Sequence, residues 1–524
     1  MIRIILGLVA ALAAASPSSA QELRIGLASE PTAMDPHYHN LSPNNSLLSH
    51  IFESLVGQDE RQRLTPDLAE SWKAVDATTW EFKLRKNVRF HDGTPFTADD
   101  VIFSFERAPN VEGSPSSFGI YARGKTFVKV DDHTLHVKTA APYPLMPNDV
   151  SQVFIVSRKH GQGAKTPDYN SGRAAVGTGP YRFAEYTPGH RIVMQRNEQY
   201  WGEKPIWQRL TFRGIKSDPS RVAALLAGDV DLIDEVPATD MARLKKELKV
   251  SIAQTVSNRI IYLHVDHWRD DSPFVQGKDG KPIKNPLRDL RVRRAISMAI
   301  DRDAIVSRVM EGQAIKAGQL LPEGFFGVSN KLKPVAYDAN AAKKLLAEAG
   351  VPNGFRLTIH SPNDRYPNDA KIAEAVGQML SRIGIDTQVV TMTQGVFFRE
   401  ASTGAPDKGP KFSFILVGWG SGTGEASSPL KSLLASFDRE KGMGASNRGR
   451  YSNPQVDKLI NDALATVDDG KRAELLARAT EVAIEDVGII PLHYQVNTWA
   501  MRRGFSYKPR TDEYTLATGV TREK

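Results

Sequence analysis

A tryptophan and a carboxylate six residues apart, Trp419 and Glu425, stand among glycines at 418, 420, 422 and 424. An indole can cover apolar surface or a cation. A carboxylate can take an ammonium group, and glycines let backbone N–H groups come close to a bound molecule. A second group, Arg365 with Tyr366 in HSPNDRYPN (360–368), adds a guanidinium able to grip a carboxylate with two parallel hydrogen bonds. Together these are the parts of a site for a small zwitterion. Catalytic sets are missing from the sequence. No G-x-S-x-G elbow, Walker loop, H-E-x-x-H or G-x-G-x-x-G occurs. His91-Asp92-Gly93 comes without a nucleophile motif and reads as a turn. His37 and His39 beside Asp35, and His264 and His267 with Asp266, fall short of a three-ligand set. No metal and no other cofactor is expected.

These residues need a scaffold. Phe412–Val417 is apolar but for Ser413 and predicts a buried strand, placing Trp419 and Glu425 in the loop after it. Phe355–Ile359 predicts another strand. Ile372, Val376, Met379, Leu380 and Ile383 form a helical stripe that stops at Gly384, and Ile385–Val390 returns as a strand. Strand, helix and strand make a βαβ unit with parallel strands. Ligands bind beyond the carboxyl ends of strands in open α/β sheets. Arg365 and Tyr366 are therefore expected to share one sheet edge with Trp419, Gly420, Gly422, Thr423 and Glu425.

Upstream, Leu23–Ala28 alternates as a strand and is broken by Ser29-Glu30-Pro31. Asn44–Val56 has helical spacing, and Pro66 is placed to open a short helix over Leu64–Trp72. Trp80–Leu84 alternates as a strand, and Thr97 is a helix N-cap followed by Asp99 and Asp100 in the first turn. Gly177–Tyr181 is a tight turn into a hairpin. Ile260–Val265 alternates where the chain enters a new domain. Asp338 caps a helix that Gly350 stops, and Tyr494–Ala500 leads into a polar tail.

At 524 residues the chain holds two or three domains, and 41% hydrophobic with 24% charged residues is ordinary for a globular protein. Its net charge of +8 is spread among acids, which argues against nucleic-acid binding. There is no cysteine, so disulfides, thiolate metal sites and a lipid-bearing cysteine are excluded. Residues 1–20 carry Arg3, an apolar run from Ile4 to Ala15, and small residues ending at Ala20. That is the pattern of a secretory signal, cut between Ala20 and Gln21. The apolar run is too short to span a bilayer. An exported, soluble, periplasmic protein is expected.

AESWKAVDATTWEFKLRKNVRFHDGTPFTADDVIFSF (69–105) closely resembles the signature of the extracellular solute-binding proteins, family 5, of peptide and nickel ABC transporters. GTGPY (177–181), NEQYW (197–201), DLRVRRAISMAIDRDAI (289–305), YDANAAKKLLAEAG (337–350) and Ile490-Pro491-Leu492 extend the resemblance in order along the chain. It implies an α/β, two-lobed periplasmic-binding-protein fold of type II with an extra small domain. Lobe I would comprise residues 21–46, 175–260 and 492–524, the small domain 47–174, and lobe II 261–491. The ligand, a small peptide or peptide-like solute, would lie between the lobes, which close by a hinge. The protein would act as a monomer that docks on the permease subunits of the transporter. Glu30 and Tyr494 complete the candidate ligand set. Peptide-binding members resembled here carry an aspartate three residues after the tryptophan to hold the peptide's ammonium; this chain has Gly422. Thr423-Gly424-Glu425-Ala426 is similar to a stretch of glutathione-binding members, which makes Glu425 the expected ammonium partner. Glutathione would suit Glu425 and Arg365, as would other peptides, opines or amino-acid conjugates. The alternatives are a secreted hydrolase on this fold and a binder of chelated nickel.

Overall fold

The computed structural model describes residues 21–523 except 116, 117, 406 and 408; the expected export signal, residues 1–20, lies outside the described residues. In chain order the main strands are β1 (Glu22–Leu27), β2 (Ala69–Asp76), β3 (Thr79–Leu84), β4 (Lys125–Asp131), β5 (Thr134–Thr139), β6 (Tyr181–Thr187) and β7 (Arg191–Arg196). They continue as β8 (Arg209–Gly214), β9 (Leu232–Asp234), β10 (Val250–Val265), β11 (Arg356–Pro362), β12 (Asp386–Met392), β13 (Phe414–Gly420) and β14 (Ile490–Arg502).

Two of these strands tie the molecule together. β10 and β14 run antiparallel along their length and belong to both lobes. On one side, residues 232–234 of β9 pair with 499–501 of β14, and β1, β8, β7 and β6 follow outward. On the other side, β13 pairs with Arg259–Val265 of β10, and β11 and β12 follow. The two through-strands lose register twice, and the first lapse, at residues 257–259, is the wider. Val256 faces Val496 and Ile260 faces Tyr494, so Ser257, Asn258 and Arg259 stand opposite Gln495 alone. The short run read at Ile260–Val265 is thus the second half of a longer strand. Ile490–Leu492 and Tyr494–Ala500 join into the other.

Burial follows from the alternation of side chains along each strand. In lobe II, Ile261, Leu263 and Val265 face one helical layer with Ile359, Val376 and Leu416. Ile260 and Tyr262 face the other with Ile415, Val417 and Leu476. A strand covered on both faces has no solvent side, which is why Phe414–Val417 reads as unbroken apolar sequence. Lobe I packs Leu23, Ile25, Phe212 and Trp499 against Phe52 and Tyr181. The small domain has its own four-stranded sheet, β2-β3-β5-β4, over Phe82, Phe96, Val101 and Leu135.

Two local expectations are corrected. Leu64–Trp72 is not a helix. Leu64–Pro66 is a strand paired with Val56–Gln58, and the chain then enters β2 at Ala69. Pro66 fits because an edge position needs no N–H from it. The helix expected over Asn44–Val56 covers only Ser42–Leu48. Beyond it the carbonyls of His50 and Ile51 accept from the N–H groups of Tyr181 and Gly179, both at 2.9 Å. The helix would have needed those carbonyls for itself.

The HDG and GTGPY motifs meet here. The N–H of His91 donates to the Gly177 carbonyl (2.9 Å), the Gly177 N–H donates to Nδ1 of His91 (3.3 Å), and Nε2 bonds the Gly179 carbonyl (3.0 Å). With Nδ1 accepting, Nε2 carries the proton, so the ring is neutral. Burial, more than any other cause, holds its pKa down to about 4. The clamp therefore contributes its stability above the unfolded value near 6.5 and loses it as the pH falls towards 4. Nitrogen NMR of His91 is expected to show the neutral Nε2–H form down to about pH 4; an ordinary titration near 6.5 would refute the clamp.

Candidate ligand site between the lobes

β11 and β13 are parallel, as the βαβ pattern requires, and their carboxyl ends share an edge. The Asp369 carboxylate accepts from the N–H groups of Arg365 and Tyr366, each at 3.0 Å, and pins the loop beyond β11. The Tyr366 hydroxyl donates to the Gly418 carbonyl (3.1 Å), joining the two loops. The Arg365 guanidinium lies 5.0 Å from the Tyr366 ring and is half-buried. It has no hydrogen-bond or ion-pair partner among the described residues.

β13 runs further than its apolar residues suggest. It continues through Gly418, Trp419 and Gly420, because ladder bonds need backbone and not side chains. Trp419 is thus a strand residue opposite Ile260, packed on the lobe II core, and its Nε1–H is buried without an acceptor. After Gly420 the backbone is held by carboxamides, one from the neighbouring strand β10 and three from the small domain. The Ser421 carbonyl accepts from Asn258 (2.7 Å) and Gln62 (3.0 Å), that of Gly422 from Gln152 (3.1 Å) and Gln62 (3.2 Å), and that of Thr423 from Asn148 (3.2 Å). The loop is a closing surface between the halves of the molecule. A Cβ on Gly422 would meet only Gln152 at 3.4 Å and Tyr121 at 3.7 Å, so packing does not demand glycine there.

The structure does not bring Glu425, Tyr494 and Glu30 to Arg365. Glu425 is 2% exposed, and both its oxygens accept from Nη1 of Arg472 (3.0 and 2.8 Å), with Ser427 also bonded to it. Its charge is spent inside lobe II, on a helix that begins at Asp469. Tyr494 is buried in the same core, its hydroxyl on the carbonyls of Gln319 and Leu321. Glu30 follows β1 and lines a small recess with Tyr186, Arg191 and Gly214.

Three charged residues absent from the sequence reading stand on the lobe I side. Arg259 donates twice to Glu513, both at 2.8 Å. Burial opposes the charge on Glu513, but Arg259 overrides it and holds the carboxyl below its usual range. Glu235 follows the carboxyl end of β9. Loss of water, then Asp234 and Glu513, push its carboxyl up to about 7, while Arg221 and Arg365 pull it down. Applying the carboxyl-end rule to lobe I, whose β9 ends in Asp234-Glu235, finds this residue. Gln62, Glu235 and Glu513 have φ of 58°, 44° and 71°, an uncommon region for such side chains and one that marks binding sites.

Other clusters are occupied. Asp35 is bonded twice by Arg107 (2.9 and 2.7 Å), and His37 Nε2 bonds the Phe154 carbonyl (2.7 Å). Among the described residues no group of three His, Asp or Glu is placed to hold a metal, and no helix is long and apolar enough to cross a membrane. A cavity of about 510 Å³ lies between the small domain and the C-terminal tail. Its Glu53 already accepts from Tyr200 (2.7 Å) and Trp201 (2.9 Å), so it offers no free charge comparable to Arg365.

Two α/β lobes joined by through-strands, with a third small domain and a cleft at the strand ends, define the two-lobed periplasmic-binding-protein fold. Residues 63–441 match the family described as bacterial extracellular solute-binding proteins, family 5 Middle, and the chain belongs to that family. It is 28% identical to the glutathione-binding protein GsiB of Pectobacterium atrosepticum, over 91% of this chain and 89% of that one. It is 29% identical to heme-binding protein A of Haemophilus influenzae, over 83% and 79%. The periplasmic binding protein DppA of Helicobacter pylori, solved with the peptide STSA, superposes with a TM-score of 0.76 at 23% identity, covering 96% of this chain and 98% of that one.

Proposed function

We propose that this protein is exported to the periplasm by residues 1–20 and captures a peptide or peptide-like small solute for an ABC importer. The lobes close on the solute, and the closed form hands it, chemically unchanged, to the membrane permease. The observation that carries this reading is Arg365. A half-buried guanidinium without a partner, set at the carboxyl end of a parallel strand and facing the other lobe, is a carboxylate receptor. Trp419 and Tyr366 supply the aromatic walls beside it, and Gly420, Gly422 and Thr423 the close backbone. The names of the relatives, which cover glutathione, dipeptides and heme, support the class of solute and leave its identity open.

Mass spectrometry of the solute that co-purifies with the protein, followed by a thermal-shift screen, tests the reading. A true solute at 100 times its Kd stabilises by about 2.7 kcal/mol. Replacing Arg365 with alanine is expected to weaken its binding by about 1.5–3 kcal/mol, the range for a hydrogen bond to a charged group, with folding unchanged. Unaltered affinity by calorimetry would remove Arg365 from the site.

A further inference from the structure

We infer that Glu235 is the residue that recognises the cationic end of the solute, so that the cleft selects a zwitterion stretched between Arg365 on lobe II and Glu235 on lobe I. This rests on the reading of the cleft as a site for a peptide-like solute and adds the second pole of that site.

The first observation is how Glu235 is held. Arg221, 1% exposed, donates to the carbonyls of Ile215 (2.9 Å), Asp234 (3.2 Å) and Glu235 (2.8 Å). A buried guanidinium clamping three carbonyls fixes the chain past β9 in a left-handed conformation, φ 44°, that costs energy for a side chain of this kind. The second is what the side chain does. Its carboxylate is exposed within the cleft, whose crowded walls strip part of its water, and it has neither a hydrogen bond nor an ion pair among the described residues. A rigid backbone therefore presents a free carboxylate.

The third is the charge left over once the pairs are formed. Glu513 is taken by Arg259, Asp234 accepts from the Ala28 N–H (2.7 Å), and Glu425 is taken by Arg472. Among these side chains Glu235 and Arg365 are the two left with neither a hydrogen bond nor an ion pair. They belong to opposite lobes and are near enough to influence each other, yet they form no ion pair. A solute bearing a carboxylate and an ammonium completes both. An anion alone leaves Glu235 unanswered beside Asp234 and Glu513, and a cation alone leaves Arg365 unanswered. Leaving a polar partner unpaired is the penalty by which such sites discriminate.

The groups facing Glu235 are Asp234 beside it, Glu513 from the tail, Arg221 beneath and Arg365 across the cleft. Because its carboxyl titrates near neutrality, a cation binds the ionised form and displaces a proton. Affinity for a zwitterion accordingly rises as the pH passes upward through about 7.

The test is calorimetry on the full mature chain, stripped of bound solute by unfolding and refolding, with a dipeptide library in three forms: free, N-acetylated and C-amidated. Free dipeptides are expected to bind. N-acetylation and Glu235→Gln should each weaken binding about tenfold or more, and the two losses should not add. The rise in affinity between about pH 6 and 7, below the range in which a peptide's own ammonium loses its proton, should disappear in the variant. N-acetylated dipeptides binding as well as free ones, or Glu235→Gln binding as wild type while circular dichroism shows it folded, would overturn the role of Glu235 and leave the peptide-like solute standing. Binding of none of the three forms, with no peptide-like solute recovered by mass spectrometry of the purified protein, would overturn both.

Discussion

Replacing Arg472 with alanine is expected to lower the stability of the protein by about 3–5 kcal/mol. Its Nη1 lies 2.8 Å from Glu425, and the two side chains are only 6% and 3% exposed. The guanidinium also sits 4.2 Å from the Phe326 ring, and Nη2 reaches Asp469 at 3.0 Å. Alanine removes the cation and leaves a carboxylate only 2% exposed, with Ser427 as its remaining side-chain partner and little water to replace the lost cation. Neutralising both partners, as Glu425→Gln with Arg472→Met, is expected to recover most of the loss, since the cost lies in the unpaired charge more than in the absence of the pair. Urea titrations with matched m-values measure both variants. A loss below about 1 kcal/mol for Arg472→Ala would show that the pair is solvated. The single variant should also bind solute more weakly, because Glu425 anchors the end of the loop that closes the cleft.

Gly177→Ala is expected to destabilise by about 3 kcal/mol, the upper part of the range for overfilled sites. A Cβ there would fall 2.0 Å from the Ile51 carbonyl oxygen, and at Gly179 2.7 Å from the Ile51 carbonyl carbon. The obstacle is backbone that already receives the Gly179 N–H, so it cannot swing aside as a side chain could. Yielding would also pull Gly177 from His91 and loosen the small domain from lobe I. Calorimetry should then show a separate, earlier transition for the small domain. A single transition at the wild-type temperature would mean that the turn adapts without cost.

The parts legible in sequence were those whose physics is local. The helix Asp369–Arg382 between two strands shows in its apolar stripe and its glycine stop, and from it the parallel pairing and the position of Arg365 follow. The Thr97–Asp100 turn is equally local, with the Thr97 N–H on the Asp100 carboxylate at 3.0 Å. Glu425 was misleading because its partner is 47 residues away on another helix, and no spacing rule connects them. Trp419 reads as a loop residue because glycines on either side hide a strand that is defined by its ladder to β10. Leu64–Pro66 resembles a helix start because proline suits both a helical first turn and a sheet edge. Glu235 was missed because its surroundings come from four segments, and only the assembled lobes show that it alone among those carboxylates is left without a partner.

The wider lapse of register in β10 decides where the molecule is soft. A sheet resists twisting because neighbouring ladder bonds must all strain together. Where three residues stand opposite one, that coupling is absent, and torsion collects there instead of in either core. Those three residues are not idle. Ser257 and Arg259 hold Glu513, and Asn258 holds Gln62 and Ser421. The compliant point of the framework and the fastening of the cleft are therefore the same few atoms. A rotation parting the lobes about this point would strain those bonds, so flexing and unfastening would proceed together.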